Sequence, residues 1–251
     1  MSRISGWSSV SFMNVGAARQ AKDLSDTDQL ALQLPIAAPS LTRASYIVSD
    51  SNRHAVDTLV RWRDANEPFL AICGAPKSGK THLATILLED GEAVCRHVND
   101  KMLEHDAASS APLMLIDGVE TLDDPRRLLA AVESVRARRG RLVLVGAGEP
   151  QDWAGGLRDL RTRLAAMARI SLEEPDETLL EKLIVKLLRD RQLKAPPAVA
   201  TFAAPRLRKT FAAAHEFVDV LDRASIASKR PVGIGLARTV LANLSEEESG
   251  P

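Results

Sequence analysis

The chain has 251 residues, of which 45% are hydrophobic and 26% are charged, and its formal net charge is zero. These values are ordinary for a globular protein, leave room for one large or two small domains, and argue against a protein that coats nucleic acid. No apolar stretch approaches the ~18 residues of a membrane helix, so we expect no membrane partner. The two cysteines, Cys73 and Cys95, form no CxxC motif. We expect them to be free thiols, which suits a cytoplasmic location.

Residues 1–25 are rich in serine and lack hydrophobic periodicity, which predicts a disordered tail. Helical spacing of apolar residues follows over 51–66. Short apolar runs then alternate with helical patterns; the runs cover residues 68–73, 93–98, 113–116, 141–145 and 169–172. Runs of this kind predict an α/β domain over residues 41–175, with a parallel five-stranded sheet that is covered on both faces.

The pattern changes after Pro175. Residues 176–193 carry leucines at helical spacing, with Asp176 as the expected N-cap, and two prolines then interrupt the pattern. Helical spacing returns over 210–229 and 235–244. The sequence therefore predicts a small all-α lid domain over residues 176–244 and a frayed tail over 245–251.

The residues that follow the run 68–73 fit the phosphate-binding motif G-x-x-x-x-G-K-[ST] and lie between a predicted strand and a predicted helix, the context that the motif requires. They are Gly74, Ala75, Pro76, Lys77, Ser78, Gly79, Lys80 and Thr81. The backbone N–H groups of such a loop surround phosphate, while Lys80 is expected to reach the β- and γ-phosphates and Thr81 to ligate Mg²⁺. The motif predicts binding of ADP or ATP with Mg²⁺; the alternative is an ordinary glycine-rich turn.

Asp117 ends the apolar run that begins at Leu113. In P-loop NTPases an Asp at this place binds Mg²⁺ through water, the Walker B role, although an Asp can also simply cap a buried strand. ATPases of this class usually follow it with a second carboxylate that polarises the attacking water. Here the next residue is Gly118, and Glu120 lies three positions beyond Asp117, which is too far to be expected as its replacement. We therefore expect weak intrinsic hydrolysis.

With these motifs and the helical C-terminal part, residues 26–244 resemble the AAA+ initiator clade, and within it the Hda-type homologues of the initiator DnaA. Further stretches carry the resemblance: residues 46–55, 79–84, 157–164, 170–175, 221–225 and 229–231. The resemblance implies that Asn52 lies beside the adenine and that His82, at the exit of the P-loop, belongs to the nucleotide site. His82 lies in a predicted helix without a metal-ligand cluster, so a packing role is the alternative.

Arg163 stands where the clade has its arginine finger. The resemblance implies that this side chain projects onto the γ-phosphate bound by a neighbouring subunit, where an arginine can raise the rate ~10³–10⁵-fold. The alternative is a solvated surface arginine. A chain that hydrolyses poorly and keeps this arginine resembles an activator of the ATPase of DnaA, with a homodimer also possible.

A hexapeptide within the segment 26–40 resembles the motif Q-L-x-L-x-[LF], with which Hda-type proteins dock on the DNA polymerase III sliding clamp (beta subunit). The matching residues are Gln29, Leu30, Leu32 and Leu34. An extended segment can place its leucines in an apolar groove while the Gln29 amide hydrogen-bonds beside it. The alternative is an apolar turn that packs on its own domain. DNA would be approached only indirectly, through the clamp.

Two further positions depart from the clade. The sensor I segment, residues 145–150, lacks the polar side chains that the clade has there. The sensor II arginine falls on Lys209, next to Arg208, and a lysine cannot form the bidentate fork that arginine offers to phosphate. The favoured function is an Hda-type regulator of replication initiation at the nucleoid. The alternatives are a helicase-loader-like ATPase, a P-loop kinase or other small-molecule enzyme, and a degenerate paralogue that binds its partners with little activity.

Overall fold

The computed structural model describes residues 41–89, 93–97 and 111–248, with the backbone alone for 93–97 and 246–248. The strands are β1 (Phe69–Gly74), β2 (Ala93–His97), β3 (Leu113–Asp117), β4 (Arg141–Gly146) and β5 (Ala168–Leu172). They pair in parallel in the order β2-β3-β4-β1-β5. The predicted parallel sheet is confirmed, and four of its strands, β1, β3, β4 and β5, have described side chains.

The helices are α1 (Asp50–Asp64), α2 (Lys80–Thr85), α3 (Pro125–Ala137), α4 (Arg158–Ala165), α5 (Glu177–Asp190), α6 (Ala198–Ala203), α7 (Phe211–Ser228) and α8 (Ile234–Glu248). Those predicted over 51–66, 176–193, 210–229 and 235–244 begin within one residue of the expected positions. The last helix continues past the predicted end at Leu244, and the Ser245 hydroxyl within it donates to the Leu241 carbonyl. Among the described residues, none of the helices has the length and apolar character that crossing a membrane requires.

Both faces of the sheet are covered. Along β1, Ala71 and Cys73 face one hydrophobic cluster and Leu70 and Ile72 face the other. All four side chains are buried, because helices pack on each side of the sheet. This burial explains why the strand reads as a continuous apolar run instead of an alternating one.

The C-terminal helices form a third cluster. In α5, Leu180, Ile184 and Leu188 recur at helical spacing and pack with Phe217 and Leu221 of α7. All described residues belong to one compact unit. The hexapeptide over residues 29–34 and the predicted tail before it lie outside the described residues.

Asp176 joins these helices to the α/β part. Its Oδ1 accepts a 2.6 Å hydrogen bond from the Leu179 backbone N–H, which is the predicted N-cap. Its Oδ2 accepts from the Ser51 N–H at 3.3 Å, at the start of α1. One carboxylate therefore binds the first turns of two helices, although Ser51 and Asp176 are 125 residues apart along the chain.

Candidate functional site: a nucleotide cavity between the P-loop and the C-terminal helices

The P-loop begins and ends at residues that require glycine. Gly74 has φ +148°, and a Cβ there would lie 2.7 Å from the Leu172 carbonyl oxygen. Gly79 has φ +89°, in the left-handed region that side chains disfavour. The loop between them is therefore held close to the end of β5 and turns directly into α2.

Lys80, the first residue of α2, is buried against this loop, with 8% of its surface exposed. Its ammonium donates to the carbonyl oxygens of Gly74 at 3.1 Å and Ala75 at 2.7 Å. Burial lowers the pKa of Lys80, and the carboxylates of Glu120 and Asp117 oppose that shift. A phosphate group in the loop would accept from the same Nζ and would counter the loss of solvation of this charge.

The residues present fit a nucleotide with Mg²⁺. The Ser78 hydroxyl is buried and has no hydrogen-bond partner among the described residues, so the loop contains a free donor beside Lys80. The Thr81 hydroxyl donates to Asp117 Oδ2 at 2.9 Å. Hydroxyl and carboxylate oxygens are the ligands that Mg²⁺ prefers. Thr81 and Asp117 would hold the ion, which would neutralise phosphate charge when bound.

A cavity of about 430 Å³ lies between the P-loop and the C-terminal helices. This volume is in the usual range for small-molecule sites. Its wall opposite Lys77 and Lys80 is basic, since Lys186 and Arg191 at the end of α5 outnumber Asp190 beside them, and His215 of α7 completes it. The sequence patterns did not indicate these residues. Helical spacing in α5 indicated only its apolar face, and no local motif marks the polar positions beside it.

The basic wall is held by ion pairs. Lys186 contacts Asp190 at 3.1 Å, and Arg191 pairs with Asp219 of α7. One nitrogen of the Arg191 guanidinium, Nη1, is buried without a hydrogen-bond partner among the described residues. The pKa of His215 is lowered, first by burial and then by the nearby charge of Lys77 and of other cations, so its neutral form is favoured.

Asn52 and His82 line a smaller cavity of about 70 Å³ beside the P-loop, together with Tyr46. Both side chains form hydrogen bonds within the protein. The Asn52 amide accepts from the Ser49 N–H and donates to the Ile47 carbonyl, both at 2.8 Å. His82 Nε2 bonds to the Thr42 carbonyl at 2.7 Å, and its ring packs edge-on against Tyr46. These residues shape the wall of the site by fixing the segment before α1.

Lys209, the expected sensor II residue, is not among the residues that line either cavity. Its side chain is exposed in the segment before α7. Thr210 caps that helix by accepting from the Ala213 N–H at 3.2 Å. The turns that follow direct Phe211 and His215 towards the cavities, because these two positions lie on one face of the helix. Of these residues, His215 contributes to the wall of the larger cavity.

Arg163 lies at a different edge of the sheet. It lines a groove of about 790 Å³ together with Phe69 at the start of β1, Arg136 and Arg139. Its Nε donates to Asp159 at 3.0 Å, and its Nη2 donates to Glu133 at 3.2 Å. Two carboxylates thus hold a guanidinium that is only partly exposed.

A scan of known protein families found no match to this sequence, and a search of curated proteins found none either. Solved structures do share its fold. Domain III of the replication initiation protein DnaA from Thermotoga maritima superimposes with a TM-score of 0.67 at 18% identity, over 82% of this chain and 97% of that one. AMPPCP-bound DnaA from Aquifex aeolicus gives 0.58 at 16% identity, over 74% of this chain and 66% of the other.

The RuvB Holliday junction branch migration motor from Thermotoga maritima is also similar, with a TM-score of 0.55 at 18% identity over 77% of this chain and 68% of that one. The chain therefore shares the fold of DnaA domain III and of RuvB, an α/β architecture with a parallel sheet and helices. At these identities the likeness concerns the fold alone.

Proposed function

We propose that this chain is an Hda-type AAA+ regulator of replication initiation. It binds ADP or ATP with Mg²⁺ at Lys80, Thr81 and Asp117, docks on the DNA polymerase III sliding clamp through residues 29–34, and uses Arg163 to stimulate hydrolysis of the ATP that DnaA holds. The observation that carries this proposal is the separation of Arg163 from the chain's own P-loop.

The separation follows from the parallel sheet. The P-loop leaves β1 at its carboxyl end, after Gly74, whereas the groove of Arg163 includes Phe69 at the amino end of the same strand. A strand of six residues is roughly 17 Å long. A guanidinium at one edge and a phosphate loop at the other are poorly placed for joint action within one chain. Each is well placed to meet a complementary site on a neighbour.

The surroundings of Arg163 suit a group that binds phosphate on another molecule. Its ion pairs with Asp159 and Glu133 fix the direction of the guanidinium, and Arg136 and Arg139 add positive charge to the same groove. An arginine in such a place stabilises the charge that develops on the phosphoryl group during transfer. Because the two ion pairs are partly exposed, exchange with a phosphate is feasible.

The test measures hydrolysis of DnaA-bound ATP in the presence of clamp-loaded DNA and this protein. We expect stimulation by the wild-type chain, a loss of at least ~10²-fold in Arg163→Ala, and little rescue by Arg163→Lys, which lacks the planar fork. Arg161→Ala, an exposed neighbour on the same helix, is the matched control and should stimulate normally.

Each outcome separates the alternatives. Absence of stimulation by the wild type, with clamp binding intact, would support a degenerate paralogue. Equal stimulation by wild type and Arg163→Ala would assign the catalytic arginine elsewhere, and loss in Arg161→Ala would identify that residue. Binding of a replicative helicase in place of the clamp would favour a helicase loader.

A further inference from the structure

The turn that follows Asp117 carries Glu120 back over the carboxyl edge of the sheet. Gly118 has φ +80°, a left-handed conformation that favours glycine, and its N–H donates to the Val145 carbonyl at 2.9 Å. Residues Val119–Thr121 then form a single 3₁₀ turn that is closed by a 2.9 Å bond from the Thr121 N–H to the Gly118 carbonyl. Gly118 therefore has two effects. It leaves position 118 without a carboxylate, and its left-handed backbone allows the turn that reverses the chain.

The Glu120 carboxylate occupies the space above Gly146. A Cβ at position 146 would lie 2.9 Å from Glu120 Oε2, 2.8 Å from the Trp153 ring and 2.5 Å from the Val119 side chain. Only glycine leaves room for all three groups. The sensor I segment, which looked deficient because it lacks polar side chains, thus admits a carboxylate from the neighbouring turn.

The strand register shows what lies beside that carboxylate. Gly146 is the last residue of β4 and pairs with Cys73, the residue before the P-loop. On the other side of β4, Val145 pairs with Asp117. Oε2 of Glu120 therefore lies over the strand that separates the P-loop from the Mg²⁺-binding carboxylate. In P-loop NTPases the γ-phosphate and its attacking water lie between these same two elements.

The electrostatics agree with this placement. Among the charged groups that raise the pKa of Lys80 against the effect of burial, Glu120 ranks first and Asp117 second. Two neighbouring residues help to fix the position of Glu120. Val119 is buried, and the Trp153 indole is held by a 2.6 Å hydrogen bond to the Ala147 carbonyl. Glu120 itself is exposed, so solvent water reaches its carboxylate.

We propose that Glu120 orients and deprotonates the water that attacks the γ-phosphate in this chain's own site, in place of the carboxylate absent at position 118. The water oxygen bonds to the γ-phosphorus as its proton passes to Glu120. The bond from that phosphorus to the β–γ bridging oxygen breaks, and ADP and phosphate form. The proton then returns to phosphate or solvent. This inference rests on the nucleotide binding proposed above, and it makes the slow intrinsic turnover dependent on Glu120.

The experiment compares the full-length wild type with Glu120→Gln, which keeps the size of the side chain and removes its basicity. Single-turnover hydrolysis of ATP is followed with protein in excess, and calorimetry measures binding of ADP alone and of ADP with aluminium fluoride, which mimics the transferring phosphoryl group. We expect a loss of rate of roughly 10²-fold, the lower end for a positioned general base. The affinity of Glu120→Gln for ADP alone should stay within ~2-fold of the wild type. Aluminium fluoride should increase ADP affinity in the wild type and not in Glu120→Gln.

Two further variants complete the design. Asp123→Asn changes an exposed carboxylate just beyond the same turn and should hydrolyse ATP at the wild-type rate. Gly146→Ala keeps the Glu120 carboxyl group but removes its space, so it should also slow hydrolysis while ADP binding persists.

The outcomes distinguish this inference from the proposed function. If Glu120→Gln hydrolyses ATP as fast as the wild type, or if the wild type shows no hydrolysis above buffer while it binds ADP, Glu120 has no such role and the regulatory function stands. If the wild type fails to bind ADP, both fall.

Discussion

Thr81 and Asp117 are joined by a 2.9 Å hydrogen bond, although 36 residues separate them along the chain. The bond connects the first turn after the P-loop to the end of β3, so the two predicted Mg²⁺ ligands already lie side by side. The geometry of this pair is set by the backbone of the sheet, since Asp117 is the last paired residue of β3.

The first prediction concerns this pair. In Asp117→Asn the amide oxygen still accepts from Thr81, so the loop keeps its shape, but the charge that favours Mg²⁺ is lost. We expect calorimetric ADP affinity to rise with Mg²⁺ in the wild type and not in Asp117→Asn. Lys80→Ala should abolish binding with or without Mg²⁺. A Mg²⁺ dependence that is unchanged in Asp117→Asn would show that the ion is held by other groups.

The second prediction concerns pH. The pKa values of His82 and His215 are lowered from 6.5, in both cases mainly by burial. The unfolded chain therefore binds these protons more readily than the folded one. The stability that depends on the neutral rings is present above pH ~6.5 and is lost as the pH falls below that value.

Thermal unfolding between pH 8 and pH 5.5 measures this effect. We expect the melting temperature to fall over that range and the fall to be smaller in His215→Gln, because one of these two buried rings is removed. For His215 the facing charges are Lys77, Arg191, Lys186 and Asp219. An identical pH profile in His215→Gln would contradict a buried neutral ring at that position.

The third prediction concerns the hexapeptide, which precedes the described residues. The combined variant Gln29→Ala, Leu32→Ala and Leu34→Ala should lose clamp binding in surface plasmon resonance and keep the ADP affinity of the wild type. Gln33→Ala changes a position that the motif leaves open and serves as the control. Undiminished clamp binding by the triple variant would exclude this docking mode.

The fourth prediction concerns Asp176, whose two oxygens bind Leu179 and Ser51. Asp176→Ala removes an N-cap and should lower the free energy of unfolding by about 1 kcal/mol in urea titration. Asp176→Asn retains a capping oxygen, so its free energy of unfolding should fall much less. Equal losses in the two variants would indicate that the charge matters more than the hydrogen bond.

The elements and the phosphate loop could be predicted because their signals are local. A strand buried on both faces is a continuous apolar run in the sequence, as residues 69–74 show. The P-loop is a contiguous motif, and its glycines are required by positive φ angles of the backbone. The cavity walls could not be predicted. Lys186 and His215 come close to the P-loop only when the helices that carry them pack beside it. The residues next to them in the sequence form no motif that would predict this contact.

Two positions depend on the local course of the backbone. Lys209 was assigned to the site by resemblance, whereas the phase of α7, which begins after its Thr210 cap, places His215 in the lining of the cavity. Glu120 was set aside because three positions seemed too long a separation. The left-handed Gly118 shortens it by folding the chain back over Gly146. In both cases a single backbone turn determined the position of a charged side chain.

The contact between Gly74 and Leu172 has a mechanical consequence. The phosphate loop begins against a carbonyl at the point where the chain leaves the sheet, and only residues 173–175 separate that point from the cap of α5. A Cβ at position 74 would lie 2.7 Å from that oxygen, so a side chain there would displace the end of β5. Because the connector is so short, the same substitution would also disturb the cap of the first C-terminal helix, and damage to the phosphate loop would reach the helical part of the chain.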